Sequence, residues 1–204
     1  MLYFCLDAGA AARLYLQDVG SQNLTQIADY LDSHLIAPSL VKVETASALL
    51  QTVDEGVIAE EDYHALGRAF EDDEQNGRVA IVELEEPVIL TAQRLLERYR
   101  PTPGRRRKLK GADSIYLATA VHLARLLKPL NGRVVLVTSD QALYQAAQTE
   151  PEVEAFHFWT CDLGCACGVA VIPVKGQRNT CPRCGQTCAL CQYEGCPSCY
   201  RVTF

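Results

Sequence analysis

The chain is predicted to hold an α/β domain on a mostly parallel sheet, followed by a small domain stapled by metal. Short apolar runs alternate with helical patterns through residues 1–157, the pattern of a sheet covered by helices. Several of those runs are apolar without a break, as strands buried on both faces must be. Nine of the ten cysteines crowd between Cys161 and Cys199, where the chain is too short and too thin in apolar residues to fold on a hydrophobic core alone.

The elements follow in order. The run LYFCL, residues 2–6, is the first strand. AGAAARLYLQD reads as a helix and LTQIADYLDSH as a second, with LIAP a short strand and Pro38 marking its end or the first turn of the next helix. SLVKVETASALLQTVDEG is an amphipathic helix that stops at Gly56, and residues 59–76 form another, broken by Asn76-Gly77. RVAIVEL is a strand, and EPVILTAQRLLERYR a helix with Pro87 in its first turn. PTPGRRRKLKG is a loop, ADSIYLATAVHLARLLK a helix, RVVLVTS a strand, DQALYQAAQ a helix and VEAFHFW a last strand.

Formal net charge is −6 over 204 residues, which argues against a generic basic nucleic-acid coat, so any such binding is local. The N-terminal MLYFCLDAGA has no basic n-region, carries an acid at position 7, and is too short for a signal peptide or a membrane span. The protein is therefore expected to be soluble and cytoplasmic, with no membrane partner. Cys5, alone in its apolar run, reads as a small buried hydrophobe.

Four acids stand out in the first domain. Asp7 closes the first strand, Asp113 and Asp140 start helices, and Glu44 lies in the first turns of an apolar helix. Capping a helix N-terminus is a sufficient reason for Asp113 or Asp140 taken singly, and Glu44 fits the polar side of its helix. Asp7 needs more, since an acid ending a buried strand requires a partner. Parallel sheets build sites at the carboxyl ends of their strands, so Asp7 and Asp140 meet if their strands are neighbours.

Five stretches, YFCLDAGAAARLYL, APSLVKVETASALL, GRVAIVELEEPVILTAQRLLERY, KGADSIYLATAVHLA and VVLVTSDQALYQAA, follow one another over residues 1–157. In order and spacing they resemble the PIN-domain proteins, and among these the VapC-type endoribonucleases. The resemblance implies a three-layer sandwich around a central, mostly parallel sheet. It implies an acidic site of Asp7, Glu44, Asp113 and Asp140 that holds Mg²⁺ or Mn²⁺ and hydrolyses RNA phosphodiesters. Gathered carboxylates suit a hard divalent ion, which activates water and steadies charge on phosphate. By the same resemblance Asp7 and Asp113 are the direct ligands, with Glu44 and Asp140 as ligands or water-orienting groups. An antitoxin and a homodimer are the partners it suggests.

Two departures bear on activity. The family commonly carries a hydroxyl residue after the first Asp, where this chain has Ala8 and Gly9; Thr138 or Ser139 are the candidates to compensate. Tyr116 stands where relatives often have His; three residues beyond Asp113, it shares that residue's helix face. The histidines at 34, 64 and 122 are read as structural or surface groups. His122 is nine residues from Asp113, about 180° round an ideal helix. No serine or cysteine nucleophile signature is present.

Arg105, Arg106, Arg107, Lys108 and Lys110 form a basic run just before Asp113. It is either a solvated loop or a phosphate clamp at the mouth of the acidic site, where arginine suits bidentate contacts.

The tail, residues 161–204, carries Cys165, Cys167, Cys181, Cys184, Cys188, Cys191, Cys196 and Cys199, with Cys161 left over. Four close pairs imply two structural Zn²⁺ ions in closed tetrahedral thiolate sites. Sequential pairing makes a ribbon site from the first four and a compact site from the last four; cross-braced pairing fits the spacing too. Iron–sulfur clusters and disulfides are the weaker alternatives. The tail holds four basic residues (Lys175, Arg178, Arg183, Arg201) against Asp162 and Glu194, leaving −8 of the total −6 to the rest. A PIN domain followed by a zinc ribbon resembles, in architecture alone, the small-subunit rRNA endonucleases of archaea and eukaryotes. Two functions follow: a metal-dependent endoribonuclease, toxin-like or RNA-processing, or a weak or inactive PIN scaffold that binds RNA or protein through a zinc module.

Overall fold

The computed structural model describes residues 1–16, 21–29, 33–100 and 109–158. Five strands, β1 (Leu2–Leu6), β2 (Ser33–Pro38), β3 (Val79–Val82), β4 (Arg133–Thr138) and β5 (Glu154–His157), form one sheet in the order β3-β2-β1-β4-β5. Every neighbouring pair is parallel. The helices are α1 (Ala8–Arg13), α2 (Ser21–Ala28), α3 (Val41–Asp54), α4 (Glu60–Gln75), α5 (Glu86–Arg98), α6 (Gly111–Leu127) and α7 (Gln141–Ala147). The α/β class with a parallel sheet is thus as the alternating pattern predicts.

The central strands are apolar because both faces are covered. Phe4, Cys5, Leu6, Leu136 and Val137 are fully buried, and α6 presses Tyr116, Leu117, Ala120 and Val121 onto the same core. Small residues at Ala118, Ala120 and Ala124 let α6 approach the sheet closely. Cys5 is buried and free, its thiol pushed up to about 12 by burial and then by Asp7.

Several predicted boundaries change, two of them with consequences for packing. The helix after Asp7 ends at Arg13 rather than running to residue 18, and Leu14–Tyr15 turn instead. The turn delivers Tyr15 to α4, where its hydroxyl donates to Asp73 (2.9 Å) and its ring meets Phe70 edge-on. Strand β2 begins at Ser33, taking Ser33 and His34 from the expected helix. Pairing with β1 decides this: Leu2 aligns with Ser33 and Tyr3 with His34, whose rings stack at 5.0 Å. Long-range pairing overrides the helical pattern there.

Chain direction across the sheet reverses between β1 and β4. From β1 the chain builds outward to β2 and β3, then returns to lay β4 on the other side of β1. In parallel α/β sheets this switch point leaves a crevice at the strands' carboxyl ends. Among the described residues no helix is long and apolar enough to cross a membrane.

Candidate functional site

Asp7 follows directly from β1, and Asp140 follows β4 after Ser139; these are the two strands that flank the switch point. Leu6 pairs with Val137, so Asp7 and Thr138 come level, and the Asp7 N–H donates to the Val137 carbonyl (3.1 Å). Asp7 is buried (7% exposed) and caps α1, its Oδ1 accepting from the Ala10 N–H at 2.7 Å. Its Oδ2 accepts from the Thr138 hydroxyl, which in turn accepts from the Asp140 N–H (2.9 Å). One fully buried threonine therefore ties the first acid to the backbone of the last.

Asp140 caps α7. A single oxygen, Oδ1, accepts from both Ala142 N–H (2.7 Å) and Leu143 N–H (2.9 Å). Asp113 lies in the first turn of α6, where its Oδ2 accepts from the Lys110 N–H at 3.0 Å. In each case capping uses one carboxylate oxygen, and among the described residues the other accepts no hydrogen bond. Glu44 lies in the first turn of α3, partly exposed.

Electrostatics link the four. Burial raises the Asp7 carboxyl to about 6; the Thr138 and Ala10 bonds and the Arg13 charge oppose the rise, and the Asp113 charge adds to it. Asp113 is raised too, first by burial, with the Lys110 N–H opposing and Asp140 and Glu44 pushing it up. Asp113 therefore interacts electrostatically with each of the other three predicted acids. Among the described residues no three His, Cys, Asp or Glu side chains come together in a group that could hold a metal ion. The donor set is nonetheless all oxygen and mutually repulsive, which suits Mg²⁺ or Mn²⁺ with retained waters.

Gly9 lies at this cluster. A Cβ built there would stand 3.4 Å from Asp7 Oδ1 and 3.7 Å from Ser139 Oγ. A side chain at position 9 would thus enter the site, and Ser139 already puts a hydroxyl beside that space. Thr138 is spent on Asp7 and Asp140, so Ser139 is the hydroxyl left for the missing one.

Two neighbours escape the sequence reading. Arg13, seen there only as part of a helix, brings a positive charge to Asp7; its guanidinium sits 5.9 Å over the Phe158 ring. His157 ends β5 level with Thr138, is 2% exposed, and packs edge-on against Tyr144. Burial lowers its pKa to about 4, against the Ser139 backbone and the Asp140 charge. The available signal was a second polar residue, after Glu154, at the carboxyl end of the last strand.

Lys110 is exposed and lies on an open groove of about 590 Å³ with Leu96, Glu97, Arg100 and Gly111. Arg105, Arg106, Arg107 and Lys108 lie outside the described residues, as do all nine cysteines of the tail.

The profile of the PIN domain family matches residues 4–148. Comparison with curated proteins finds no match. Among solved structures, VapBC2 from Rickettsia felis bound to a DNA fragment from its promoter superposes with a TM-score of 0.50 at 13% identity, over 76% of this chain and 98% of that one. FitAcB from Neisseria gonorrhoeae gives 0.51 at 17% identity, over 76% and 98%. FitAB bound to the IR36 DNA fragment gives 0.52 at 16%, over 78% and 97%. At such identities the likeness is one of fold.

Proposed function

The chain belongs to the PIN domain family, and on that footing we propose that it is a divalent-metal-dependent endoribonuclease acting through Asp7, Glu44, Asp113 and Asp140. PIN domains are generally metal-dependent nucleases. The observation that carries the reading is the coupling of these acids at the β1–β4 switch point, where two of them keep an oxygen free of the backbone.

Asp113 and Asp140 would offer their free oxygens to Mg²⁺ or Mn²⁺, with Asp7 joining and Glu44 as ligand or water-orienting group. When bound, the cation supplies a water of lowered pKa and neutralises charge gathering on the phosphate. The chain's own residues do the positioning. Thr138 fixes Asp7 against the Asp140 backbone, and the caps hold Asp113 and Asp140 on helix starts. Ser139 presents a hydroxyl donor at the site. Lys110 and Arg100, exposed beside α6, favour an incoming phosphate chain, and Arg105, Arg106, Arg107 and Lys108 would extend that charge.

The tail is read as a structural module holding two Zn²⁺ ions through Cys165, Cys167, Cys181, Cys184, Cys188, Cys191, Cys196 and Cys199, a reading supported by their spacing. A protein partner of antitoxin type and a homodimer belong to the same proposal. Val43 and Leu50, two helical turns apart on α3 and 71% and 46% exposed, offer apolar surface to such a partner. The second reading, a binding scaffold of weak activity, is favoured by Ala8 and Gly9 in place of a hydroxyl. Incubating purified full-length protein with structured RNA and Mn²⁺ or Mg²⁺, beside Asp7→Asn, separates the two. Metal-dependent cleavage that disappears in the variant supports the nuclease; equal cleavage by both proteins points to contamination, and none by either supports the scaffold.

A further inference from the structure

An open groove of about 590 Å³ runs between the end of α5 and the start of α6, lined among the described residues by Leu96, Glu97, Arg100, Lys110 and Gly111. That volume falls in the range of small-molecule sites, ~300–1,000 Å³. Both walls are anchored. Next to Arg100, the Tyr99 ring is buried and its hydroxyl donates to buried Glu150 (2.6 Å). Next to Lys110, Leu109 is buried in the core. The Lys110 N–H donates to Asp113 (3.0 Å), so the groove ends one helical turn from an acid of the candidate site. The charged groups that face the groove do not neutralise each other. Elsewhere on the described surface arginines are closed by acids, Arg98 by Glu150, Arg125 by Glu152 and Arg133 by Glu154. Glu97, Arg100 and Lys110 are exposed and form no ion pair among the described residues, although Glu97 and Arg100 are close enough in sequence to meet.

We propose that this groove holds one guanine nucleotide of a single-stranded RNA, with Glu97 as the residue that selects the base. The RNA strand rests on the endoribonuclease reading; the choice of base rests on the groove. Two unpaired cations suit the phosphates on either side of a nucleotide. Leu96, half-buried, gives the base an apolar wall to lie against. A carboxylate only accepts, and its two oxygens can take two parallel donors. Among the four bases guanine alone presents two such donors, N1–H and the N2 amino group, side by side on the edge that unpaired RNA leaves open. Adenine and cytosine set an amino group beside a bare ring nitrogen. Uracil sets its single N–H between two carbonyls. In each of these an acceptor would meet a carboxylate oxygen with no proton between them, and a mismatched acceptor is what a polar site rejects.

The test measures fluorescence anisotropy of labelled oligouridine strands, either all uridine or carrying one guanine, adenine or cytosine, with the full chain in buffer free of Mg²⁺ and Mn²⁺. The parent is expected to bind the guanine strand about 10-fold tighter than the other three, the discrimination that a bidentate base contact supplies. Glu97→Gln, whose amide cannot accept twice, is expected to bind all four strands alike. Its side chain is exposed and unpaired, so its melting temperature should match the parent's. Arg100→Gln combined with Lys110→Gln is expected to weaken all four strands by the same factor. Contacts to the rest of the chain are common to every strand and cancel from the comparison. Equal binding of the four strands by the parent overturns the subsite, and so does a guanine preference that survives in Glu97→Gln. Guanosine monophosphate binding as tightly as the guanine strand overturns the assignment to RNA, since a free nucleotide then suffices. Cleavage with Mn²⁺ is scored separately. Cleavage without a guanine preference overturns the groove and leaves the nuclease standing; a guanine preference without cleavage supports the groove and counts against the nuclease.

Discussion

Replacing Asp7 by Asn should stabilise the cation-free protein at neutral pH. Asp7 is buried and its carboxyl rises from an ordinary 3.8 to about 6. A folded-state pKa above the unfolded one contributes stability that is fully present below about 4 and is lost as pH rises through about 6. At about 1.4 kcal/mol per pH unit, that interval corresponds to about 3 kcal/mol. The side chain of Asn keeps an oxygen for the Ala10 N–H, and its amide can donate to the Thr138 hydroxyl, so packing and capping survive. Melting curves of parent and Asp7→Asn in buffer freed of Mg²⁺ and Mn²⁺, taken from pH 4 to pH 8, read the difference. The variant should gain about 1–3 kcal/mol at pH 8 and nothing near pH 4. Adding Mn²⁺ at pH 8 should then raise the parent's melting point but not the variant's, because only the native parent binds the ion. A gap between the two proteins that stays constant from pH 4 to pH 8 refutes the reasoning, since the charge on Asp7 would then not be what burial penalises.

Further outcomes follow from other parts of the chain. Metal analysis of the full chain should find two zinc ions per molecule, and removing them should leave the far-ultraviolet signal of the α/β domain in place; stoichiometric iron would overturn the zinc reading. Tyr99→Phe should cost about 1–3 kcal/mol by urea unfolding. Its hydroxyl donates to buried Glu150 at 2.6 Å, which then keeps only the exposed Arg98 (2.7 Å); a cost near zero would mean that Arg98 alone satisfies the carboxylate. Changing Arg105, Arg106, Arg107, Lys108 and Lys110 to Gln should flatten the salt dependence of RNA binding, by about 0.7 in log–log slope for each phosphate no longer neutralised. An unchanged slope returns this run to a solvated loop.

The fold was legible wherever local pattern and tertiary demand agree. Central strands buried on both faces must be apolar runs, so β1 and β4 stand out; α5 and α6 carry their own stop and start signals. The sequence failed where pairing decides instead. Ser33 and His34 follow a helical pattern but lie in β2, because Leu2 and Tyr3 of β1 offer them backbone partners. The acids were visible as residues, but their meeting depended on β4 lying next to β1, a matter of strand order that no local stretch contains. His157 was missed for the same reason. It reaches the site across the fold, through the register of β5 with β4, whereas Arg13 lies on the helix that Asp7 caps and bonds back to the Gly9 carbonyl.

Strand order also bears on the proposal that Asp140 is both a helix cap and a member of an acidic site. A carboxylate has two oxygens, and α7 engages one of them twice. The cap leaves the second oxygen without a backbone bond, as the Lys110 N–H does for Asp113. On the proposed reading, capping leaves each of these two acids an oxygen for a cation instead of competing with it. Asp7 differs, because both of its oxygens are taken, one by the Ala10 N–H and one by Thr138. The Thr138 hydroxyl can rotate, whereas the α1 backbone cannot leave without unwinding the helix. Binding at Asp7 therefore calls for Thr138 to release or share Oδ2. The Thr138 oxygen meanwhile keeps its bond from the Asp140 N–H, so the hydroxyl proton can turn away while the backbone that carries Asp140 stays in place.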